Sequence, residues 1–174
     1  RWKTKKRAPL DLKSSRPRWS GEINQAVYLW TEQGLGDSIM FSSIIPELNA
    51  ICSKLIIQCD KRLVPLFERS FPEGIIYHSD RISVTEDAYD FHIPITSLGR
   101  HFRRTVDSFS KTSCGWLVSD QAQTEQLRSK LLGKQPKTVL GISWKTKNKS
   151  SLGKSSCISL YDLAKALHSP TVTL

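Results

Sequence analysis

Apolar positions fall along this chain in two alternating rhythms. Residues 26–30, Ala-Val-Tyr-Leu-Trp, form a short and nearly continuous apolar run, the pattern of a strand buried on both faces of a parallel sheet. From Asp37 onward the period lengthens: Phe41, Ile44, Ile45, Leu48 and Ile51 recur at helical spacing, and Asp37 is placed to cap that helix. A second strand is predicted at 54–59, a helix at 62–69, a short strand at 74–77 and a further strand end at 90–94. After a loop at 96–99 and a Phe/Arg-rich stretch, residues 125–132 read as a helix ended by Gly133 and kept from continuing by Pro136. Residues 138–144 repeat the continuous apolar strand; a lysine-rich loop, a helix at 159–168 and the start of a strand at Val172 follow. Strands and helices alternating at these lengths predict an α/β fold, a Rossmann-like parallel sheet with helices on both faces and ligands at the carboxyl ends of its strands.

The pattern divides the chain into a basic lead-in over 1–24 that packs Trp2 and Trp19 on the domain, an N-terminal Rossmann-like domain over 25–134, and the incomplete start of a second domain over 135–174. The sequence opens at Arg1 and stops inside the apolar run 171–174, so both ends are expected to be cuts. With 174 residues and 39% hydrophobic content the chain can bury one core. No stretch reaches the ~18 uninterrupted apolar residues of a membrane span, and the basic start lacks the apolar segment of a secretory signal. A cytoplasmic location is expected. Cys52, Cys59, Cys114 and Cys157 are scattered, with no C-x-x-C pair and no histidine at ligand spacing, which predicts neither a zinc site nor a disulfide framework.

The formal charge of +10 raises the question of nucleic-acid binding. Residues 1–18 carry +7 and residues 134–154 carry +6, which leaves −3 for the rest. A mildly acidic body with a basic lead-in and one basic loop is not a broad phosphate-backbone footprint, and Trp2, Trp19 and Trp144 are too dispersed for a stacking platform. No nucleic-acid partner is expected; a local anion site is.

The sharpest feature is Glu32-Gln33-Gly34-Leu35-Gly36-Asp37, between the first strand and the first helix, where doubly wound folds bind ligands. A dinucleotide fingerprint would need glycine where Ile39 stands, and a P-loop would need Gly-Lys-Ser/Thr where the chain has Gly36-Asp37-Ser38. Two readings stay open. Asp37 is either a plain N-cap after a glycine turn or a carboxylate at the mouth of a cleft, its ionised form favoured by the helix dipole and able to accept a proton from an attacking hydroxyl.

The run Trp30-Thr31-Glu32-Gln33-Gly34-Leu35-Gly36-Asp37-Ser38-Ile39, with Arg1-Trp2-Lys3-Thr4-Lys5 and Pro17-Arg18-Trp19-Ser20-Gly21 before it, resembles glycosyltransferase family 9, the heptosyltransferase-like region found after tetratricopeptide repeats. The likeness continues through Asp90-Phe91-His92-Ile93-Pro94 with Ser97-Leu98, and through Gly141-Ile142-Ser143-Trp144-Lys145 with Ser156-Cys157-Ile158-Ser159-Leu160. Thr31 stands where alanine is more usual and Met40 where glutamine is, which bears on acceptor contacts and leaves the glycine loop intact. The resemblance implies a GT-B architecture of two Rossmann-like domains facing a cleft. It implies an inverting transfer from a nucleotide-sugar donor to a hydroxyl acceptor, with Asp37 as base and Gln33, Gly34, Leu35, Gly36 and Ser38 as the acceptor-side loop. It also implies upstream repeats that bind protein.

In that picture the loop Lys145-Thr146-Lys147-Asn148-Lys149 through Lys154-Ser155 opens the nucleotide-sugar domain. A departing nucleoside diphosphate gains negative charge, so Lys145, Thr146, Lys147 and Lys154 are the expected diphosphate contacts. No paired-aspartate motif of the metal-using kind occurs, so the transfer is expected to need no metal and no cofactor beyond the donor. Arg100, Arg103 and Arg104, near His101, are candidate contacts to an acidic acceptor, and His92 either lines the cleft or is a satisfied core histidine. The competing reading is a non-catalytic ligand-binding or scaffolding module of the same fold.

Overall fold

The computed structural model describes residues 12–32, 34–79, 84–109, 115–132, 141–146 and 157–167. The chain divides into two compact units, residues 1–124 and 125–174. The first is built on four parallel strands: β1 (Ala26–Trp30), β2 (Lys54–Gln58), β3 (Ile76–His78) and β4 (Phe91–Pro94), in the order β3-β2-β1-β4. This is the α/β, Rossmann-like sheet that the apolar runs predict, with β1 central and the strand order reversing direction between β1 and β4.

Because side chains alternate across a strand, β1 feeds two clusters. Val27 and Leu29 join Leu55, Ile57 and Ile93 beneath the helices α1 (Leu35–Phe41), α2 (Ile45–Asn49) and α3 (Val64–Ser70), contacting Ile45, Leu48 and Phe67. Tyr28 and Trp30 face the other way with Ile56, under Tyr89, Val84, Ala88 and Leu12. Cover on that second face comes from the lead-in and the 3₁₀ turn Glu86–Ala88 on the connection from β3 to β4.

The predicted helix from Asp37 to Ile51 is broken. It starts earlier, with extended Gly34 as N-cap, so Asp37 lies in the first turn and is not the cap. It then gives way to the 3₁₀ turn Ser42–Ile44 before α2. Pro46, near the start of α2, has no N–H to donate to the preceding turn, and the Ser42 and Ser43 hydroxyls bond back to Ile39 O (2.7 Å) and Met40 O (3.1 Å), which favours a break there.

The loop predicted at 96–99 is instead a 3₁₀ turn, Ile95–Ser97, running into α4 (Gly99–Phe102). Ile95 and Leu98, three residues apart, are both wholly buried, and a helical turn is what lets both reach the core. From α4, Arg103 reaches back to α2 and clasps Glu47 through both guanidinium nitrogens, at 2.6 and 3.0 Å, with its side chain only 6% exposed.

The lead-in does what its tryptophans suggest, as far as it is described. Trp19 is buried in the main cluster and donates Nε1–H to Glu22 O at 2.7 Å. Its backbone N–H bonds His92 O (3.0 Å), and His92 N–H bonds Pro17 O (3.1 Å), so residues 17–19 run along β4 and cover the open edge of the sheet. Trp2 lies outside the described residues.

The helix predicted at 125–132 begins sooner, at the end of the first unit, as α5 (Gln121–Leu132), because Asp120 caps it by accepting from Gln123 N–H at 2.9 Å. Of the strand predicted at 138–144 only 141–144 are described, and they form no strand; the strand at Val172 lies outside the described residues. The last helix, α6 (Leu160–Leu167), is capped by Ser159, whose Oγ accepts from Asp162 N–H at 3.0 Å.

Replacing Arg103 by alanine leaves Glu47 without its partner and empties a buried slot between α4 and α2. The expected cost is about 2 kcal/mol, read as a lower urea midpoint at unchanged slope. A midpoint equal to that of the parent protein would mean that the ion pair holds nothing.

Candidate functional site

At the carboxyl end of β1 the chain passes through Thr31 and Glu32 and enters α1 at Gly34. At the carboxyl end of the neighbouring β4 it passes into Thr96 and Ser97. The two exits are tied by a hydrogen bond from the Thr96 hydroxyl to Glu32 Oε1, while Glu32 Oε2 is buried and has no hydrogen-bond partner among the described residues. A buried carboxylate oxygen without a partner is costly, so this junction holds unsatisfied accepting capacity where the strand order reverses. In the sequence Glu32 belongs to the sharpest motif without a role of its own, and Thr96 falls in a predicted loop. The contact joins residues 64 apart and has no local signature.

Asp37 is half-buried in the first turn of α1, accepts no hydrogen bond from a described residue, and lies back toward Gly34, where an added Cβ would meet its Oδ2 at 3.9 Å. Gly34 and Gly36 are exposed. Neither has a positive φ, and a Cβ on Gly36 would meet nothing within 4 Å. The glycines are therefore not there to permit a forbidden backbone or to relieve a clash. What they leave is bare backbone beside a carboxylate.

The remaining loop residues divide between core and surface. Leu35 packs on the main cluster. Ser38 is buried and bonds Gly34 O through both its hydroxyl and its N–H, each at 3.1 Å, so it braces the turn and presents no hydroxyl outward. Gln33 lies outside the described residues. His92 is a satisfied core histidine: it is buried and its Nδ1 accepts from Trp30 Nε1–H at 3.2 Å, joining β4 to β1.

In the second unit, Lys145 and Thr146 are exposed, and Thr146 N–H lies 3.4 Å from Cys157 Sγ. Lys147 and Lys154 lie outside the described residues. Among the described residues no group of three or more His, Cys, Asp or Glu is placed to hold a metal ion.

The three arginines near His101 separate into two kinds. Arg103 is consumed by Glu47, as above. Arg100 and Arg104 are exposed, form no ion pair with a described residue, and line a hollow of about 330 Å³ with Arg18, Ser20, Ser97 and His101. His101 sits against Trp19 at 4.8 Å between ring centroids. Its pKa is lowered, first by burial and then by Arg100 and Arg104, with Glu22 opposing.

The chain is 28% identical to Protein FlbA of Caulobacter vibrioides over a stretch covering 74% of this chain and 24% of FlbA. It thus spans about a quarter of that relative's length. No protein-family model matches the chain, and no solved structure does. No described helix is long and apolar enough to cross a membrane.

Since nothing in the fold demands glycine at position 36, Gly36→Ala is expected to leave the protein at least as stable as the parent, with a gain of up to about 1 kcal/mol from the better helix former. Thermal or urea unfolding reads this directly. A loss of stability would show that the glycine answers to the fold and not to a ligand.

Proposed function

We propose that this chain is the acceptor-side part of a glycosyltransferase, with the start of a nucleotide-sugar domain behind it, of the heptosyltransferase-like kind that its motifs resemble. The observation that carries the reading is Asp37: a half-buried carboxylate without a described hydrogen-bond partner, at the carboxyl edge of the central strand, beside two exposed glycines.

In the proposed step an acceptor hydroxyl lies over the bare backbone of Gly34 and Gly36 and gives its proton to the Asp37 carboxylate. The oxygen attacks the anomeric carbon of the donor sugar, the bond from that carbon to the diphosphate breaks, and the anomeric centre inverts. A carboxylate suits this role as a proton acceptor, and no described residue donates a hydrogen bond that would compete for the Asp37 lone pairs. Lys145, Thr146, Lys147 and Lys154 are assigned to the departing diphosphate. Fixed cations and hydroxyls meet the charge that develops there, in place of a metal.

The same reading takes the whole protein to be cytoplasmic, with repeats upstream and a completed second domain downstream. The likeness to a quarter of FlbA supports a chain that works within a larger protein, and the name of that relative states no activity.

The test is Asp37→Asn in the full-length protein, with release of nucleoside diphosphate from a panel of nucleotide sugars measured in the presence of hydroxyl acceptors. The amide keeps the shape and loses the base, so transfer is expected to fall by about 10²- to 10⁴-fold while donor affinity stays within a factor of about two. Turnover at the parental rate would remove Asp37 from the chemistry. Donor binding by the parent protein without any turnover would leave a non-catalytic binding module.

A further inference from the structure

Beside the end of β4, on the lead-in side of the sheet, the hollow of about 330 Å³ is walled by Arg18 and Ser20 from the lead-in and by Ser97, Arg100, His101 and Arg104 from the turn into α4 and its end. Its floor is Trp19, Ile93 and Pro94, all buried. No Asp or Glu lines it. Three guanidiniums around one concavity repel each other, and a folded chain of ordinary composition would answer them with carboxylates. The fold does so for the neighbouring Arg103, which does not line the hollow, through Glu47. It does not do so for Arg100, nor for Arg104, whose described bond is to the backbone carbonyl of Arg100 at 3.3 Å.

Arg103 is neutralised away from the hollow, whereas Arg100 and Arg104 line it beside the Ser97 hydroxyl, the Ser20 hydroxyl being already donated to Glu22 at 2.5 Å; this is the arrangement of a site awaiting negative charge. We propose that this hollow is an oxyanion site that receives the phosphate or carboxylate group of a sugar-sized acceptor. The guanidinium fork matches both groups in shape, and a charge-assisted bond inside a concavity is stronger than one on an open surface. The volume lies at the small end of ligand sites and suits one monosaccharide with an acidic substituent. Trp19 holds the geometry: its ring lies 4.8 Å from that of His101 and stacks on Phe102 of the same turn at 5.9 Å. At the His101 ring burial first, and then Arg100 and Arg104, disfavour protonation, with Glu22 opposing.

Calling the ligand an acceptor rests on the transferase reading above; anion binding does not. The hollow opens beside Ser97, next to Thr96 and the junction with Glu32. An acidic group gripped there would anchor a sugar at the same carboxyl edge of the sheet that presents Asp37.

Titration calorimetry of the full-length protein with glucose 6-phosphate, glucuronate and glucose tests the proposal. At least one of the two acidic sugars is expected to bind and glucose is not, and the preferred acid tells phosphate from carboxylate. The R100A/R104A double variant is expected to weaken that binding by about ten- to a hundredfold, R100K/R104K to lie between, and R69A, which removes an exposed arginine elsewhere, to bind like the parent. Equal binding of glucose, no binding of either acid, or an R100A/R104A variant that binds like R69A would overturn it. Acid binding by a protein that transfers no sugar would support the site and end the transferase reading. Transfer by a protein that binds neither acid would do the reverse.

Discussion

Parallel strands cannot turn straight back on themselves, and in this protein that constraint decides where anything can bind. Each connection must leave the sheet over one face and return at the opposite end. With β2 on one side of β1 and β4 on the other, the chain leaving β1 moves toward α1 while the chain leaving β4 moves toward α4. The two exits run side by side over the same main cluster, and the gap between them lies where open α/β sheets hold ligands. Here the gap is bridged by Thr96 donating to Glu32, and deeper in the sheet by Trp30 donating to His92. Asp37, the bare glycines and the arginine-lined hollow are all placed by the ends of these two strands.

The same edge sorts its polar groups by use. Ser38, Thr96, His92 and Arg103 are each committed to the fold through a hydrogen bond or an ion pair. Asp37, Arg100 and Arg104 are left without a counter-charge among the described residues. Scattered surface charge would show no such division at one edge of a sheet, and a site that must meet a hydroxyl and an oxyanion would. Negative charge at Asp37 and positive charge at Arg100 and Arg104 give the edge two poles, one suited to taking a proton and one to holding an acid.

How much of this could be read from the sequence follows from the range of each interaction. Runs such as Ala26–Trp30 and Lys54–Gln58 declare themselves because burial on both faces is written into consecutive residues. The break in the first helix was legible only in hindsight: Pro46 and the two serines sit inside an apolar period that otherwise continues to Ile51. The turn Ile95–Ser97 and α4 read as loop because two buried residues, Ile95 and Leu98, are too few to set a period. The glycine loop is conspicuous in the sequence, but the ordinary φ of Gly36 and the open space around that residue are visible only in three dimensions. What separates Arg103 from its two neighbours is Glu47, 56 residues away, and no local pattern reports it.

The most direct measurement is a map of where a ligand touches the sheet. Nitrogen-15 NMR of the chain titrated with glucose 6-phosphate and glucuronate would show it amide by amide. Shifts gathered on Thr31 to Asp37 and Thr96 to Arg104, at the carboxyl ends of β1 and β4, are the predicted result. Shifts gathered at the other end of the strands, around Gln25, Ser53 and Gly74, would contradict the account.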